Sequence, residues 1–239
     1  MSDALNALMK SKFEMKTFTH DPLPESSVKE VYTETINKKR FYVTPEGNKY
    51  PSITTVLSGR AKEGINAWRQ RVGEAVANQI MRTAARRGTA VHELCENYLN
   101  NEELGNQEVL PLAMFTLLKP ELDNINNIVA QEVGLYSDNW GIAGRVDCIA
   151  EYDGKLTVID FKTSTKEKSE SWIENYFVQG SAYSVMYKEH FGEDINQIVI
   201  LITTEQGTTQ VFKKNPVDYL PKLKEYVEEF YKTLPGKTS

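Results

Sequence analysis

Cysteine is scarce in this sequence. Of its 239 residues only Cys95 and Cys148 are cysteines, which is too few for one chain to build a four-cysteine zinc ribbon or an all-cysteine iron–sulfur cluster. Free cysteines outside such sites are usually buried. We therefore expect two reduced, buried thiols and no iron–sulfur cluster.

Long apolar runs, low-complexity tracts and internal repeats are also missing from the sequence. No stretch approaches the ~20 apolar residues that a helix needs to cross a bilayer. The segment from Met1 to Lys16 has no apolar signal core and carries Asp3 and Glu14, which argues against a secretory signal or a transit peptide. The sequence predicts a cytoplasmic protein without membrane contact, and its length suits one large domain.

An overall basic excess is missing too, because the formal net charge is −5. The total conceals a local patch between Arg60 and Arg87, where seven basic residues outnumber Glu63 and Glu74. Such a patch is either a solvated helical face or a surface that binds nucleic-acid phosphates. Its basic residues are Arg60, Lys62, Arg69, Arg71, Arg82, Arg86 and Arg87.

The most informative stretch predicts a β-hairpin. Two alternating, β-favouring segments, Ile142–Tyr152 and Lys155–Lys162, flank the dipeptide Asp153-Gly154. This dipeptide suits a type I′ turn, in which both central residues have positive φ. A two-residue turn fixes the register of the hairpin, because it pairs Tyr152 with Lys155.

Continued along the strands, this register places Asp147 opposite Asp160 and Arg145 opposite Lys162. Since alternate side chains in a strand share a face, these four project from one side of the sheet and Phe161 from the other. Two directly paired carboxylates repel each other unless a cation or a proton lies between them. The pattern indicates either a divalent-metal site with Lys162 beside the metal, or a surface hairpin whose charges pair across the strands.

Upstream of this hairpin the sequence predicts a smaller hairpin and several helices. The smaller hairpin covers residues 40–50, and Ser52 caps a short helix that ends at Leu57. A later helix covers residues 108–127, where Pro120 bends or divides it.

Between these two helices, residues 64–100 are predicted to be helical with breaks near Gly73 and Gly88. His92 lies at the edge of the last apolar stripe and is placed to face a cleft. A histidine in that position is either a hydrogen-bonded structural residue or a metal ligand. The stripe consists of Val91, Leu94, Cys95, Tyr98 and Leu99.

The strands around the hairpin complete a sheet. Residues 129–136 form a strand that enters the hairpin and carries Glu132, which is either an accessory acid near the site or a solvated edge residue. Residues 197–204 are apolar and β-branched, as in a central strand, and residues 208–213 return beside them. Asn215-Pro216 then opens a last helix, whose apolar face we expect to pack on the sheet.

One further helix lies between the hairpin and the central strand. Ser171 and Glu174 predict a capping box at its start, and Gly192 is placed to end it. Gln179 and Tyr183 are four residues apart and share a face of this helix.

The order of these elements predicts an α/β fold. Its core is α-β-β-β-α-β, with a central mixed sheet flanked by helices, extra N-terminal helices and a C-terminal helix. We expect one domain, with residues 1–38 as an extended or poorly ordered lead-in and residues 39–127 as a helical portion. Residues 128–214 form the sheet core and residues 215–239 the C-terminal helix.

At this point the motifs resemble a known family. His92, Asp147, the run Asp160-Phe161-Lys162 and Gln179-x-x-x-Tyr183, in that order, are similar to the RecB-like branch of the PD-(D/E)XK nuclease superfamily. RGTAVHELCENYL and YPSITTVL further resemble its phage and mitochondrial genome-maintenance exonuclease group. The likeness covers roughly residues 40–215 and implies a restriction-endonuclease-like core. Val146 stands where the superfamily name has proline.

The resemblance also implies roles for individual residues. Asp147, Asp160, the Phe161 backbone carbonyl and His92 would hold one or two Mg²⁺ or Mn²⁺ ions, with Asp147, Asp160 and Lys162 catalytic. Lys162 would orient the attacking water. The implied substrate-binding residues are Gln179, Tyr183, Thr163, Ser164, Arg86 and Arg87, and the helical portion of residues 39–127 would bind DNA. Arg145 is a candidate phosphate clamp that the hairpin register suggests independently.

The function implied is a metal-dependent DNA exonuclease that acts on single strands or free ends in replication, recombination or repair. Its partners would be DNA and replication or recombination proteins, and the chain would be a monomeric phage protein in the bacterial cytoplasm. Two alternatives stay open: a catalytically inactive nucleic-acid adaptor on the same fold, and a structure- or sequence-specific endonuclease.

Overall fold

The computed structural model describes residues 15–23 and 30–234, with residues 60–63 described by their backbone alone. A small antiparallel sheet comes first and consists of β1 Tyr32–Ile36, β2 Lys39–Val43 and β3 Lys49–Pro51. Strand β1 lies in the segment expected to be an extended or poorly ordered lead-in, where it forms an extended strand of the small sheet. The rest of the expected lead-in before residue 15 and at residues 24–29 lies outside the described residues.

The central sheet has five strands in chain order: β4 Ile125–Ser137, β5 Ile142–Tyr152, β6 Lys155–Ser164, β7 Gln197–Thr204 and β8 Thr209–Lys214. Strands β6 and β7 are parallel, and the other neighbours are antiparallel. Every residue of β7 is buried, as its apolar sequence requires for a strand covered on both faces. The predicted mixed sheet is confirmed.

Helices cover both faces of this sheet: α1 Ile53–Val72, α2 Glu74–Leu99, α3 Val109–Leu122, α4 Glu174–Phe191 and α5 Leu220–Lys232. Helices α2 and α3 share one apolar core with β5, β6 and β7. Helices α1, α4 and α5 enclose the other. The order α3, β4, β5, β6, α4, β7 gives the expected α-β-β-β-α-β core.

The first two helices differ from the sequence expectation. Ser52 caps α1 as predicted, because its Oγ accepts the Thr55 N–H at 3.0 Å, but the helix continues to Val72. The break at Gly73 is confirmed by its φ of 87°. Gly88 causes no break, and a Cβ at that position would lie 3.5 Å from Thr163 Oγ1. Helix α2 therefore continues through Gly88, where a Cβ would make an ordinary van der Waals contact with β6.

The later helices also need corrections. Helix α3 ends at Leu122 and contains Pro120 in its last turn, so proline does not divide it. A 3₁₀ turn over Glu170–Trp172 precedes α4, and no side chain caps α4, so the predicted capping box is wrong. Gly192 ends α4 in the left-handed conformation, as predicted.

The last helix begins after a 3₁₀ turn over Pro216–Tyr219. Its apolar face packs against α4 and α1 rather than on the sheet, because α4 already covers that part of the sheet. Among the helices of residues 30–234, none is both long and apolar enough to cross a membrane.

Candidate active site

The hairpin formed by β5 and β6 positions the candidate site. Its turn residues Asp153 and Gly154 have φ values of 53° and 72°, as a type I′ turn requires. Tyr152 pairs with Lys155, and the same register continues as far as Cys148 and Ile159. The turn and the register are therefore as predicted up to that pair.

Beyond Cys148 and Ile159 the two strands no longer form paired residues. Strand β6 continues along β7, with Asp160 opposite Ile200. Instead of a backbone ladder, the Asp147 side chain spans the gap, because its Oδ2 accepts the Phe161 N–H at 3.0 Å. Asp147 and Asp160 thus sit at a fork in the hairpin rather than at directly paired positions.

Arg145 departs from the expected register. It lies opposite Gly134 on β4, and its Nη1 is 3.8 Å from Glu132 Oε2. Its side chain is 57% exposed, so a phosphate could reach the guanidinium. The expected pairing with Lys162 is not formed.

On the α2 side of the fork, His92 and Glu132 surround Asp147. His92 Nδ1 lies 3.5 Å from Asp147 Oδ2, and the His92 ring contacts the Phe161 ring edge to face at 6.1 Å. One ligand atom from each of His92, Glu132 and Asp147 lies within 4.8 Å of the other two. Sequence reasoning left His92 and Glu132 each with a structural alternative, and the structure brings both to Asp147.

On the α4 side, Asp160 is buried and forms an ion pair with Lys162 Nζ. Gln179 Nε2 donates to Asp160 Oδ1 at 3.3 Å and to Tyr183 Oη at 3.4 Å. The predicted glutamine–tyrosine pair therefore reaches Asp160 directly. Phe161 packs on the opposite face of β6, with α2, as the alternation of the strand predicts.

Sequence reasoning missed Tyr176 as a site residue. Lys162 Nζ lies 5.1 Å from the centre of the Tyr176 ring, a distance at which a cation and an aromatic face attract each other. The available signal was helical spacing, because Tyr176 precedes Gln179 by three residues on the same helix face.

Two acids near the fork, Glu132 and Asp160, have raised pKa values. Burial raises the pKa of Glu132 to about 7, and the charges of Asp147 and Glu96 add to the rise. Burial also raises the pKa of Asp160, against the opposing effect of Lys162. Each result means that the ionised carboxylate lacks sufficient compensating positive charge.

The pKa of Lys162 is also raised, which for a lysine favours the charged form. Burial lowers its pKa, but the carboxylates of Asp160 and Asp147 more than offset that effect and leave the pKa above its ordinary value. Lys162 is therefore an ammonium ion at neutral pH. It can donate hydrogen bonds but cannot serve as a general base.

The residues present fit a divalent cation. Asp160 Oδ2 is buried and makes no hydrogen bond within the described residues, although Lys162 Nζ lies beside it as an ion pair. Imidazole nitrogen and carboxylate oxygen together suit divalent metals of the Mn²⁺ type, and carboxylate alone suits Mg²⁺. The group of His92, Glu132 and Asp147 could hold such an ion.

The remaining predicted DNA-binding residues occupy different environments. The Ser164 hydroxyl is buried and donates to the Lys166 carbonyl oxygen at 2.7 Å, whereas the Thr163 side chain faces Gly88 of α2. Arg86 is exposed and pairs with Glu108. Arg87 is only 8% exposed and pairs with Glu205, so direct contact of Arg87 with DNA does not fit its position.

The basic patch is less positive than its sequence indicates. Three of its arginines have carboxylate partners, because Arg69 pairs with Glu74 in addition to the pairs of Arg86 and Arg87. The side chains of Arg60, Lys62 and Glu63 lie outside the described residues. A continuous phosphate track along this segment stays a prediction.

The mixed sheet, the forked hairpin and its acids with an adjacent lysine define a nuclease-type site on an α/β fold. A sequence profile of the PD-(D/E)XK nuclease superfamily matches residues 69–237. This match covers well over half of the chain and includes every residue of the fork. The chain belongs to the PD-(D/E)XK nuclease superfamily.

Its curated relatives include mitochondrial genome maintenance exonuclease 1. The human protein is 29% identical over 132 residues, which cover 51% of this chain and 38% of the relative. The mouse protein is 25% identical over 205 residues, which cover 76% of this chain and 60% of the relative. The chain thus spans less than two thirds of the length of these relatives.

A crystal structure of a candidate exonuclease from Eubacterium rectale resembles the chain in shape. It is 14% identical, covers 63% of this chain and 65% of that chain, and gives a TM-score of 0.44. A likeness at this level is loose, so the family assignment comes from the sequence profile.

Proposed function

We propose that the protein is a metal-dependent DNA exonuclease that hydrolyses phosphodiester bonds at the forked end of the hairpin. The observation that carries the proposal is the juxtaposition of Asp147, His92 and Glu132 with the buried Asp160–Lys162 pair. The names of the curated relatives add support for exonuclease activity.

The proposed metal ligands are Asp147, Asp160, His92 and the Phe161 carbonyl. A bound Mg²⁺ or Mn²⁺ ion would supply Lewis-acid polarisation of the phosphoryl oxygen and lower the pKa of a water molecule. The Asp147 carboxylate is held at the fork by the Phe161 N–H, so its position is fixed before a metal or a substrate arrives. Such preorganisation reduces the reorganisation required in the transition state.

Lys162 would stabilise negative charge on the phosphoryl group. Because its pKa is raised, it is positively charged and donates a hydrogen bond to the attacking water or to a phosphate oxygen. Gln179 holds Asp160, and Asp160 in turn holds Lys162. Tyr183 supports Gln179 from the next turn of α4.

The proposed substrate is single-stranded DNA or DNA with free ends, in replication, recombination or repair. The exposed guanidinium of Arg145 lies beside Glu132 at the fork and would contact a phosphate, and Arg86 would add charge farther along α2. We propose that the chain acts as a monomer alongside replication or recombination proteins. A phage origin and a place in the bacterial cytoplasm stay predictions.

The test is a cleavage assay with Mg²⁺ or Mn²⁺ and end-labelled linear single-stranded DNA, linear duplex DNA and circular single-stranded DNA. We expect only linear substrates to be degraded, with single strands preferred. Lys162→Ala should abolish cleavage, because it removes the ammonium ion that would stabilise negative charge on the phosphoryl group. It should keep DNA binding, because only one buried side chain is changed. Lys155→Ala, an exposed position on the same strand, is the matched control and should cleave normally.

Three results would contradict this function. Cleavage of the circular single-stranded DNA would show that the protein is an endonuclease. DNA binding without cleavage by the unmodified chain would make it an adaptor. Undiminished cleavage by Lys162→Ala would show that the fork is not the active site.

A further inference from the structure

The connection between β6 and α4 carries an exposed tryptophan. Trp172 is 69% exposed, whereas the other two tryptophans, Trp68 and Trp140, are partly buried. Tryptophan is highly buried on average, because its indole ring has a large apolar area. Among residues 15–23 and 30–234, no ring contact or hydrogen bond holds the indole of Trp172. The face of the indole is therefore open to a ligand.

The backbone on the N-terminal side of Trp172 is anchored to β8. Lys168 exchanges two hydrogen bonds with the side chain of Gln210, because its N–H donates to Oε1 at 2.8 Å and its carbonyl oxygen accepts from Nε2 at 3.0 Å. Glu170 forms an ion pair with Lys214. The position of Trp172 is thus set before a ligand arrives, which lowers the entropic cost of binding to it.

The residue after Trp172 fixes the direction in which this connection faces. Ile173 is buried and belongs to one apolar cluster with Ile202 of β7, and Ile202 pairs with Lys162 of β6. The Ile173 carbonyl oxygen accepts the Tyr176 N–H at 2.8 Å, so the turn leads directly into α4. Trp172 therefore lies at the same end of the sheet as Lys162.

Helical spacing relates Trp172 to the α4 side of the fork. Tyr176, Gln179 and Tyr183 follow it by four, seven and eleven residues, which is the spacing of one helix face. Exposure falls along this row, from 69% at Trp172 to 8% at Gln179 and 2% at Tyr183. Between them, the ring of Tyr176 has Lys162 Nζ 5.1 Å from its centre. Trp172 is therefore the outer end of a row that leads from the surface to the fork.

A nucleobase is the ligand that suits an open indole beside a nuclease-type site. Every base has a π-face, and stacking on an aromatic side chain tolerates any sequence. The two acids that flank Trp172 in the chain, Glu170 and Glu174, pair with Lys214 and Lys222, so their charges are compensated when a phosphate approaches. In a duplex the bases stack on each other, which leaves only unpaired or terminal bases free to stack on the indole.

We propose that Trp172 is a base-stacking platform that holds an unpaired nucleotide of the substrate next to the fork. The indole face would take the base, and Lys162 would face the backbone phosphate. The inference rests on the proposed nuclease function and adds to it a feature that favours single strands over duplexes. Because stacking does not read the edges of the bases, the platform would accept all four of them.

The test measures the DNA affinity of the full chain in metal-free buffer by fluorescence anisotropy. The probes are a labelled oligothymidylate, a blunt duplex of the same length, and a strand of the same length whose sugars carry no bases. Trp172→Ala should weaken binding of the oligothymidylate at least about fivefold, the lower end of the effect of stacking on one base. It should leave binding of the duplex and of the base-free strand unchanged.

Two further variants separate stacking from general effects of substitution. Trp172→Phe keeps an aromatic face and should restore most of the lost affinity. Tyr32→Ala removes another exposed aromatic ring, which is 61% exposed on the small sheet, and should bind all three probes as the unmodified chain does. Since the indole is exposed, Trp172→Ala should unfold at the same temperature as the unmodified chain.

Unchanged affinity of Trp172→Ala for the oligothymidylate would overturn the platform. An equal loss on the base-free strand or on the duplex would also overturn it, because the residue would then contact the backbone. Cleavage of linear single strands by the unmodified chain with Mn²⁺ tests the proposed function separately. Normal cleavage with unchanged affinity of Trp172→Ala overturns only the role of Trp172. Absent cleavage with base-dependent binding through Trp172 overturns the exonuclease and supports the platform.

Discussion

The two aspartates of one hairpin, Asp147 and Asp160, end in different surroundings. Asp147 lies at the edge of the fork with His92 and Glu132, whereas Asp160 is buried against Lys162 and Gln179. The difference arises because β5 and β6 stop pairing after Cys148 and Ile159, so the two acids face different helices. Asp147 and Asp160 are both acids of the sequence motif, but they have different neighbours in the site.

This asymmetry places negative charge on one side of the fork and positive charge on the other. Negative charge accumulates on the α2 side, where burial and neighbouring acids raise the pKa of Glu132 to about 7. The ammonium ion of Lys162 lies on the α4 side. A cation on the first side and a lysine on the second would together flank a phosphate, which is the arrangement expected for phosphoryl transfer.

The largest expected effect comes from neutralising each aspartate. Asp147→Asn and Asp160→Asn should both lower cleavage by at least about a hundredfold, as expected when one element of a preorganised charge site is lost. They should differ in Mn²⁺ binding without DNA, with Asp147→Asn the weaker binder, because Asp160 is already engaged by Lys162 and Gln179. Calorimetry measures that difference.

The control for this comparison is Asp153→Asn at the turn of the same hairpin. Asp153 is exposed and pairs with Lys213, so its loss should change neither cleavage nor metal binding. Equal Mn²⁺ affinities for Asp147→Asn and Asp160→Asn would contradict the expected difference in metal binding between the two sides of the fork.

A smaller effect is expected for His92→Ala, which changes only the α2 side. The metal concentration for half-maximal cleavage should rise about tenfold, while DNA affinity in a metal-free buffer stays the same. A metal titration of the cleavage rate and a binding titration with a labelled oligonucleotide give the two values. A change in DNA affinity alone would make His92 a substrate-binding residue instead.

The hairpin could be predicted because its determinants are local. The Asp153-Gly154 turn fixes the pairing of Tyr152 with Lys155, and alternation then places every side chain until the strands part. The fork itself could not be predicted, since turn geometry and alternation do not indicate where two strands stop pairing, and β5 and β6 part after Cys148 and Ile159. The same parting of the strands explains why Arg145 does not face Lys162.

Tertiary contacts also explain the other differences between the sequence predictions and the structure. Gly88 was expected to interrupt α2, but the helix continues through it and packs against Thr163 of β6. The position of Arg87 is set by Glu205, which lies in the loop after β7 and cannot be matched to it by spacing. His92 and Glu132 were recognisable as candidates, whereas their meeting at Asp147 required the assembled sheet.

The α4 side can be tested separately through Gly144. A Cβ at this position would lie 2.8 Å from Tyr183 Cε1 and 3.2 Å from Ile53 Cγ2, so Gly144→Ala forces Tyr183 to move. We expect a loss of about 1–3 kcal/mol in the free energy of unfolding and slower cleavage with unchanged Mn²⁺ affinity. Chemical denaturation and the cleavage assay measure these effects.

Gly59→Ala is the control for the glycine substitution. Nothing lies within 4 Å of a Cβ at Gly59 in helix α1, and alanine favours a helix over glycine by about 0.5–1 kcal/mol. This variant should be slightly more stable and fully active. Reduced Mn²⁺ affinity in Gly144→Ala would show that the two sides of the fork are mechanically coupled.

The smallest expected effect is a pH dependence of stability on the α2 side. The pKa of Glu132 rises from its ordinary 4.5 to about 7 in the folded chain, so between these values the folded state binds more protons than the unfolded state. In metal-free buffer, the contribution of Glu132 to the free energy of unfolding is therefore fully present below about pH 4.5 and decreases as the pH rises towards 7. Thermal unfolding should show the unmodified chain losing several degrees relative to Glu132→Gln between pH 5 and pH 7.5. Added Mn²⁺ should reverse that loss, since it supplies the charge that the ionised carboxylate lacks. A difference that stays constant with pH would mean that Glu132 is already ionised at pH 5, and that the α2 side carries no excess of negative charge over the α4 side.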